Sequence, residues 1–167
     1  MSEENLTSKE AVGKLRELVE AARTCMFATR LTEVPFHACP MYAQEVDDDG
    51  CVWFFSGADS EHNGHIQDDP RVQLIFSEPK DSKYVLVYGE AKVVTDRDKI
   101  DELWNQMVKA WFPDGRDDAN LTLLKVKPLK AHYWDTEHGK WVTMAKIMIS
   151  SVTGSMDDGG VEGDLRI

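Results

Sequence analysis

The chain is 167 residues long, enough for one domain with an ordinary core and too short for two full ones. Its composition, 42% hydrophobic and 29% charged with 11 Gly and 6 Pro, excludes collagen-like, low-complexity and wholly disordered chains. Thirty acidic against 19 basic residues leave a net charge of −11, which repels phosphate backbones and anionic lipid and argues against nucleic-acid or membrane-surface binding. No apolar run approaches the roughly 18 residues of a membrane span. Met1 to Lys14 carries Glu3, Glu4, Lys9 and Glu10 without the apolar stretch of a secretory signal, so a cytoplasmic protein is expected. Cys25, Cys39 and Cys51 are odd in number and lack CxxC spacing, the pattern of reduced thiols rather than of a disulfide framework.

Leu6 to Arg23 reads as an amphipathic helix, because Val12, Leu15, Leu18, Val19 and Ala22 recur at helical spacing and Thr7 or Ser8 can cap its start. Short extended segments follow at Cys25 to Leu31, Ala38 to Val46 and Cys51 to Ser56. Asp48, Asp49 and Gly50 tolerate the positive φ of a tight hairpin, so the second and third segments are expected to pair antiparallel. Ser60 opens a short helix through Gln67 that must stop before Pro70. Val72 to Phe76 and Tyr84 to Val94 are β-branched and aromatic, joined by Pro79 to Ser82, with Gly89 placed for a bulge or a close approach. Asp96 caps a further helix, Asp98 to Trp111, with Ile100, Leu103, Trp104, Met107 and Val108 on its apolar face.

Leu121 to Val126 and Lys130 to Trp134 read as two strands joined at Pro128. Trp141 to Val152 is apolar and fits either a helix or a strand, while Thr153 to Ile167 has the acidic, Gly-rich look of a tail. The division is one domain over residues 1–152 and a tail over 153–167. About seven strands, one helix before them and two among them, predict a mostly β (α+β) fold, a small antiparallel barrel with flanking helices.

Three chemistries compete. Trp53, Phe54, Phe55, Trp104, Trp111, Tyr133, Trp134 and Trp141 are many large rings for this length, and such walls suit a planar cofactor, although core packing accounts for most of them. His62 and His65, three residues apart with Asp59 and Asp69 nearby, have the spacing of metal ligands, but no HExxH and no cysteine pair completes a set, so no metal is expected. Cys39 with His37 has the composition of a thiolate pair, against which stands a half-buried strand cysteine. There is no GxSxG, Walker-type loop or GxGxxG.

The run His37-Ala38-Cys39-Pro40-Met41, then Asp49-Gly50, Val52-Trp53-Phe54-Phe55-Ser56, Ser60 and Asp69-Pro70-Arg71-Val72, resembles the flavin-binding split barrel of the pyridoxamine 5′-phosphate oxidase-like superfamily. Tyr84 to Ala91, Leu103-Trp104, Ala110-Trp111-Phe112-Pro113 and Tyr133-Trp134-Asp135 resemble its general stress protein 26 branch, and the likeness runs from about Leu15 to Val152. The resemblance implies a homodimer with FMN, or alternatively FAD, in clefts between two subunits. Carried onto this chain, it puts Cys39, Pro40, Met41 and Gln44 beside the ribityl chain and ring edge, with Phe55 and Ser56 alongside. It puts Ser60 and His62 at the phosphate, and lets Tyr84 and Trp134 reach the flavin at least partly from the partner subunit.

The chain departs from that pattern in three places. Ala38-Cys39-Pro40-Met41 stands where relatives usually have Ser-Arg-Pro-Met, and His62 where they usually have lysine. The two missing cations are the main partners of the phosphate; a protonated His62 would restore part of the attraction at mildly acidic pH. Asp135-Thr136-Glu137-His138-Gly139-Lys140 lacks the arginines with which true pyridoxamine-phosphate oxidases grip their substrate, so that oxidase activity is not expected. Two readings lead: a flavin-binding general stress protein with oxidoreductase chemistry, or a flavin-free split barrel serving as a binding or structural module; haem or metal binding at the same cleft, prompted by His62 and His65, is a weaker third.

Overall fold

The computed structural model describes Ser2, Glu3 and residues 6–136 and 160–167. The apolar segment Trp141 to Val152 therefore lies outside the described residues, as do the side chains of Thr7 and Ser8. The elements are β1 (Ser2–Glu3), β2 (Leu6–Thr7), α1 (Ser8–Ala22), β3 (Thr24–Thr29), β4 (His37–Val46), β5 (Val52–Gly57), α2 (Glu61–Asp68), β6 (Arg71–Glu78), β7 (Lys83–Val94), α3 (Arg97–Leu103), α4 (Gln106–Lys109), β8 (Leu121–Thr136) and β9 (Gly160–Arg166). Strands β3, β4, β5, β8, β7 and β6 pair antiparallel in that order, and β6 returns to β3, closing a six-stranded barrel. Closure leaves no open edge within this ring.

Alternation along the strands fills the barrel. Phe27, Phe54, Leu74, Phe76, Val85, Val87, Leu124 and Val126 are buried inside it, and each large side chain contributes roughly 1.5–3 kcal/mol of burial. Helix α1 adds its own stripe to the same core through Ala11, Leu15, Leu18 and Val19. A second, smaller core lies outside the barrel wall, where Trp53, Leu121 and Leu123 meet Ile100, Val108 and Phe112. Strands β5 and β8 thus divide their two faces between two cores, as the period of two in a strand requires.

The hairpin between β4 and β5 forms as expected: Gly50 has φ +81°, and Asp47 accepts from the backbone N–H groups of Asp49 and Cys51 at 3.0 and 2.8 Å. Ser60 and Asp96 cap α2 and α3.

Four expectations need correction. The helix predicted over Asp98 to Trp111 is broken in two: Trp104 is extended, and Asn105 caps α4 by accepting from the N–H groups of Met107 and Val108. The two strands predicted on either side of Pro128 are one strand, β8. Proline is tolerated there because the register shifts: Tyr88 faces Lys130 and Gly89 faces Pro128, leaving Leu129 as the extra residue of a bulge. A Cβ on Gly89 would overlap the Lys127 carbonyl, which is the close approach its position suggested. Within the predicted tail, Gly160–Arg166 is a strand, antiparallel to β8 and parallel to β1 and β2. Its buried Val161 and Leu165 alternate with Gly160, Glu162 and Asp164, a pattern too polar to signal a strand without its neighbours. The initial helix begins at Ser8, because Leu6 and Thr7 are drawn into pairing with β9.

Candidate functional site

Where α2 meets the end of the barrel, a buried polar network forms around the β5 residue Ser56. Thr122, directly across on β8, donates to the Ser56 carbonyl at 2.8 Å. Asn63, buried on α2, donates from Nδ2 to Thr122 Oγ1 at 3.1 Å and accepts from Ser56 Oγ on Oδ1 at 2.7 Å. The Ser56 hydroxyl has one proton, and Asn63 takes it. His62 Nε2, 2.7 Å from Ser56 Oγ and 3.1 Å from Ser60 Oγ, is therefore the donor of that pair. This fixes the imidazole tautomer and leaves Nδ1 as an acceptor, 3.7 Å from Cys39 Sγ.

Burial, followed by the charges of His37 and His65, holds His62 below the ordinary imidazole range. The charged form expected at mildly acidic pH is pushed to more acidic conditions. Burial also raises the Cys39 thiol. The cysteine is partnered by His62 rather than by the His37 that the sequence suggested: His37 faces Glu61 at 3.4 Å and meets His65 edge-on, with ring centroids 5.0 Å apart, while His65 Nδ1 lies 2.9 Å from Thr29 Oγ1. His62 and His65 are thus engaged in different contacts, and among the described residues no group of three potential ligands gathers around them.

Beside this network runs a groove of about 420 Å³ between β4, β5 and the segment of α4 and Phe112. Pro40, Met41, Gln44, Phe55 and His62 line it, together with Tyr42, Gly57, Met107, Val108 and Trp111. Trp111 is 82% exposed and Met107 59%, large apolar surfaces for solvated positions. Gln44 Oε1 accepts from the Asn105 side chain at 2.9 Å, tying β4 to the cap of α4. Phe55 packs edge-on against Trp104 with ring centroids 6.1 Å apart. The groove has the size and apolar walls of a small-molecule site.

Of the residues singled out in the sequence, Pro40, Met41, Gln44, Phe55 and His62 lie on this groove. Ser56, Ser60 and Cys39 join it through His62. Tyr84 and Trp134 do not line it; they face each other across β7 and β8. Sequence reasoning missed Asn63 and Thr122, whose burial follows only from docking of α2; it counted Trp111 among the rings suited to a planar cofactor and placed Met107 on a helix's apolar face, without assigning either to this groove.

The architecture, a closed antiparallel barrel with a cleft on its outer wall, is that of the split barrels, and the comparisons agree. The sequence model described as pyridoxamine 5′-phosphate oxidase like matches residues 10–158, and the chain belongs to that family. It is 33% identical over 66 residues to general stress protein 26 of Bacillus subtilis (strain 168), a match covering 38% of this chain and 46% of that one. The chain spans less than two thirds of the length of the curated relatives it matches. A crystal structure from Jannaschia sp. CCS1, named for general stress protein 26, superposes with a TM-score of 0.78 at 23% identity, covering 96% of this chain and 99% of that one. The structure named general stress FMN/FAD binding protein, from Xanthomonas citri, superposes at 0.66 with 32% identity, covering 76% and 89%.

Proposed function

We propose that the protein is a flavin-binding member of its family, holding the ring system of FMN or FAD in the groove between β4, β5 and α4. The observation that carries this reading is the groove itself: Met41 and Phe55, on the strand pair with the family-like residue run, form an aromatic and thioether lining together with Met107 of α4 and Trp111 and Phe112 just after it. The Xanthomonas citri relative named for FMN/FAD binding supports it. A flavin supplies hydride- or electron-transfer chemistry, so the reaction class would be an oxidoreductase. This chain's residues would orient the ring and exclude water. Pyridoxamine-phosphate oxidase activity is not proposed, since the run from Asp135 to Lys140 lacks the substrate-gripping arginines.

The test is a titration of purified protein with FMN and FAD, following flavin fluorescence. Saturable quenching with one flavin per chain is expected; an unchanged signal overturns the reading and leaves a flavin-free binding module. That second reading draws on the closed Ser56–Asn63–Thr122–His62 network, whose donors are already used within the protein.

The same proposal includes a homodimer. Pro40, Met26, Ile75 and Leu86 are consecutive cross-strand neighbours on the outer face of β4, β3, β6 and β7. Met26 is 43% and Ile75 39% exposed, and the stripe is continuous with the groove through Pro40. An apolar stripe of this kind is the surface a second copy would cover. Light scattering should give twice the chain mass, and Ile75→Glu should return it to one. A cytoplasmic location belongs to the same proposal, supported by three free cysteines, one of them half-buried beside the groove.

A further inference from the structure

We infer that the groove selects its ligand by the ring and not by a phosphate, so that an unphosphorylated flavin such as riboflavin is held at least as tightly as FMN. This inference rests on the proposed flavin reading and concerns which flavin the site takes. In a chain with 30 acidic and 19 basic residues, every side chain lining the groove among the described residues is uncharged apart from the titratable His62. Arg23, next to the lining residue Thr24, gives Nη1 to the Gln44 carbonyl at 3.1 Å. Arg30 is not among the groove's lining residues and lies 3.4 Å from the Glu33 carboxylate.

The ring half of a flavin fits this set of residues, and the anion half does not. A phosphate dianion placed beside His62 would meet hydrogen-bond donors already given to Ser56, Asn63 and Thr122, a neutral imidazole, and the Cys39 thiol. Charge-assisted hydrogen bonds are the strong contacts of phosphate sites, and among the described residues no arginine or lysine lines the groove to make them. The dianion would also enter the field of a chain with net charge −11. The α2 N-terminus offers partial positive charge, but Ser60 already accepts from Asn63 N at 3.4 Å, and Glu61 adds a negative charge in the first turn. Displacing the internal bonds to free donors for phosphate would leave Asn63 or Thr122, both buried, unsatisfied.

The experiment compares the dissociation constants of riboflavin and FMN for the unmodified protein at pH 8, at about 50 mM and about 500 mM salt. Riboflavin is expected to bind as tightly as FMN or tighter. FMN binding should strengthen with salt, because screening relieves repulsion by the acidic chain. FMN binding more than about threefold tighter than riboflavin, or weakening with salt, would mean that a cation holds the phosphate, and would overturn the inference while leaving the flavin reading intact. Binding of neither compound would overturn both. Cys39→Arg/His62→Lys gives the opposite arm: adding two cations at the polar end should shift the preference to FMN by about tenfold or more. An unchanged ratio in the folded variant would show that this end never meets the phosphate and would likewise overturn the inference.

Discussion

The two cores of this molecule are built differently. The barrel interior draws on six strands and α1, with Ile66 of α2 and Val161 and Leu165 of β9 at its margin, and its large barrel-strand side chains are enclosed: Phe54 is 0% exposed. The outer core rests on one face of β5 and β8 and is roofed by two short helices with an extended break between them; Phe112 there is 7% exposed. The first fixes the fold, whereas the second forms a wall of the groove. One wall of the groove thus rests on the smaller core while the other is built from β4 and β5, so that wall can change without loss of the barrel.

A matched pair of truncations separates the two cores. Phe54→Ala should cost about 4 kcal/mol of unfolding free energy in urea, and Phe112→Ala about 2, since the rim can partly collapse. Equal losses would mean that the two cores unfold as one unit. Asn63→Ala should cost about 2 kcal/mol, less than Phe54→Ala, by leaving buried Ser56 and Thr122 groups without partners; a loss under about 0.5 would show that water or rearrangement satisfies them. Trp111→Ala should change stability by no more than about 0.5 kcal/mol, because the ring is exposed, yet weaken flavin binding several-fold in the fluorescence titration. If affinity is unchanged, the outer helices are not a wall of the site.

The smallest expected effect concerns His62. Its folded-state affinity for a proton is lowered, so the unfolded chain binds more protons below the ordinary imidazole value of about 6.5. The stability that depends on a neutral His62 is present above that pH and declines as the pH falls from there through the lower folded value. Thermal midpoints measured from pH 8 downward should decline less in His62→Gln than in the unmodified protein. Parallel profiles would locate the titration elsewhere, with His65, whose proton affinity is also lowered, as the next residue to replace.

Much of the barrel was legible because its strands alternate or are β-branched and its turns carry Asp-Gly, Ser and Pro at positions with clear backbone meaning. Asp48-Asp49-Gly50, Ser60 and Asp96 did in space what their chemistry suggests. The misreadings arose where tertiary pairing overrides local pattern. Pro128 breaks a strand by the usual rule, but a bulge at Leu129 removes the conflict; Asn105 ends one helix and starts another without any glycine or proline to announce it. In the candidate site, Pro40, Met41, Gln44, Phe55 and His62 line the groove, with Cys39 Sγ 3.7 Å from His62 Nδ1. Asn63 gave no signal, because a single asparagine in a polar helix becomes a core residue only when that helix seats on the barrel.

Strand β9 joins the two ends of the chain. It is the third partner of β8, covering residues 131–136, and the only strand paired with β1 and β2 among the described residues. Ser2 lies opposite Val161 and Leu6 opposite Leu165, so contacts at the start of the chain wait for residues made more than a hundred positions later. During synthesis the barrel can close from β3 through β8, while the outer edge of β8 stays open and the first residues stay unpaired. An unpaired strand edge is a template for other chains. Pairing of β9 with β8, β1 and β2 therefore also covers the edge that the newly made barrel would otherwise expose to aggregation.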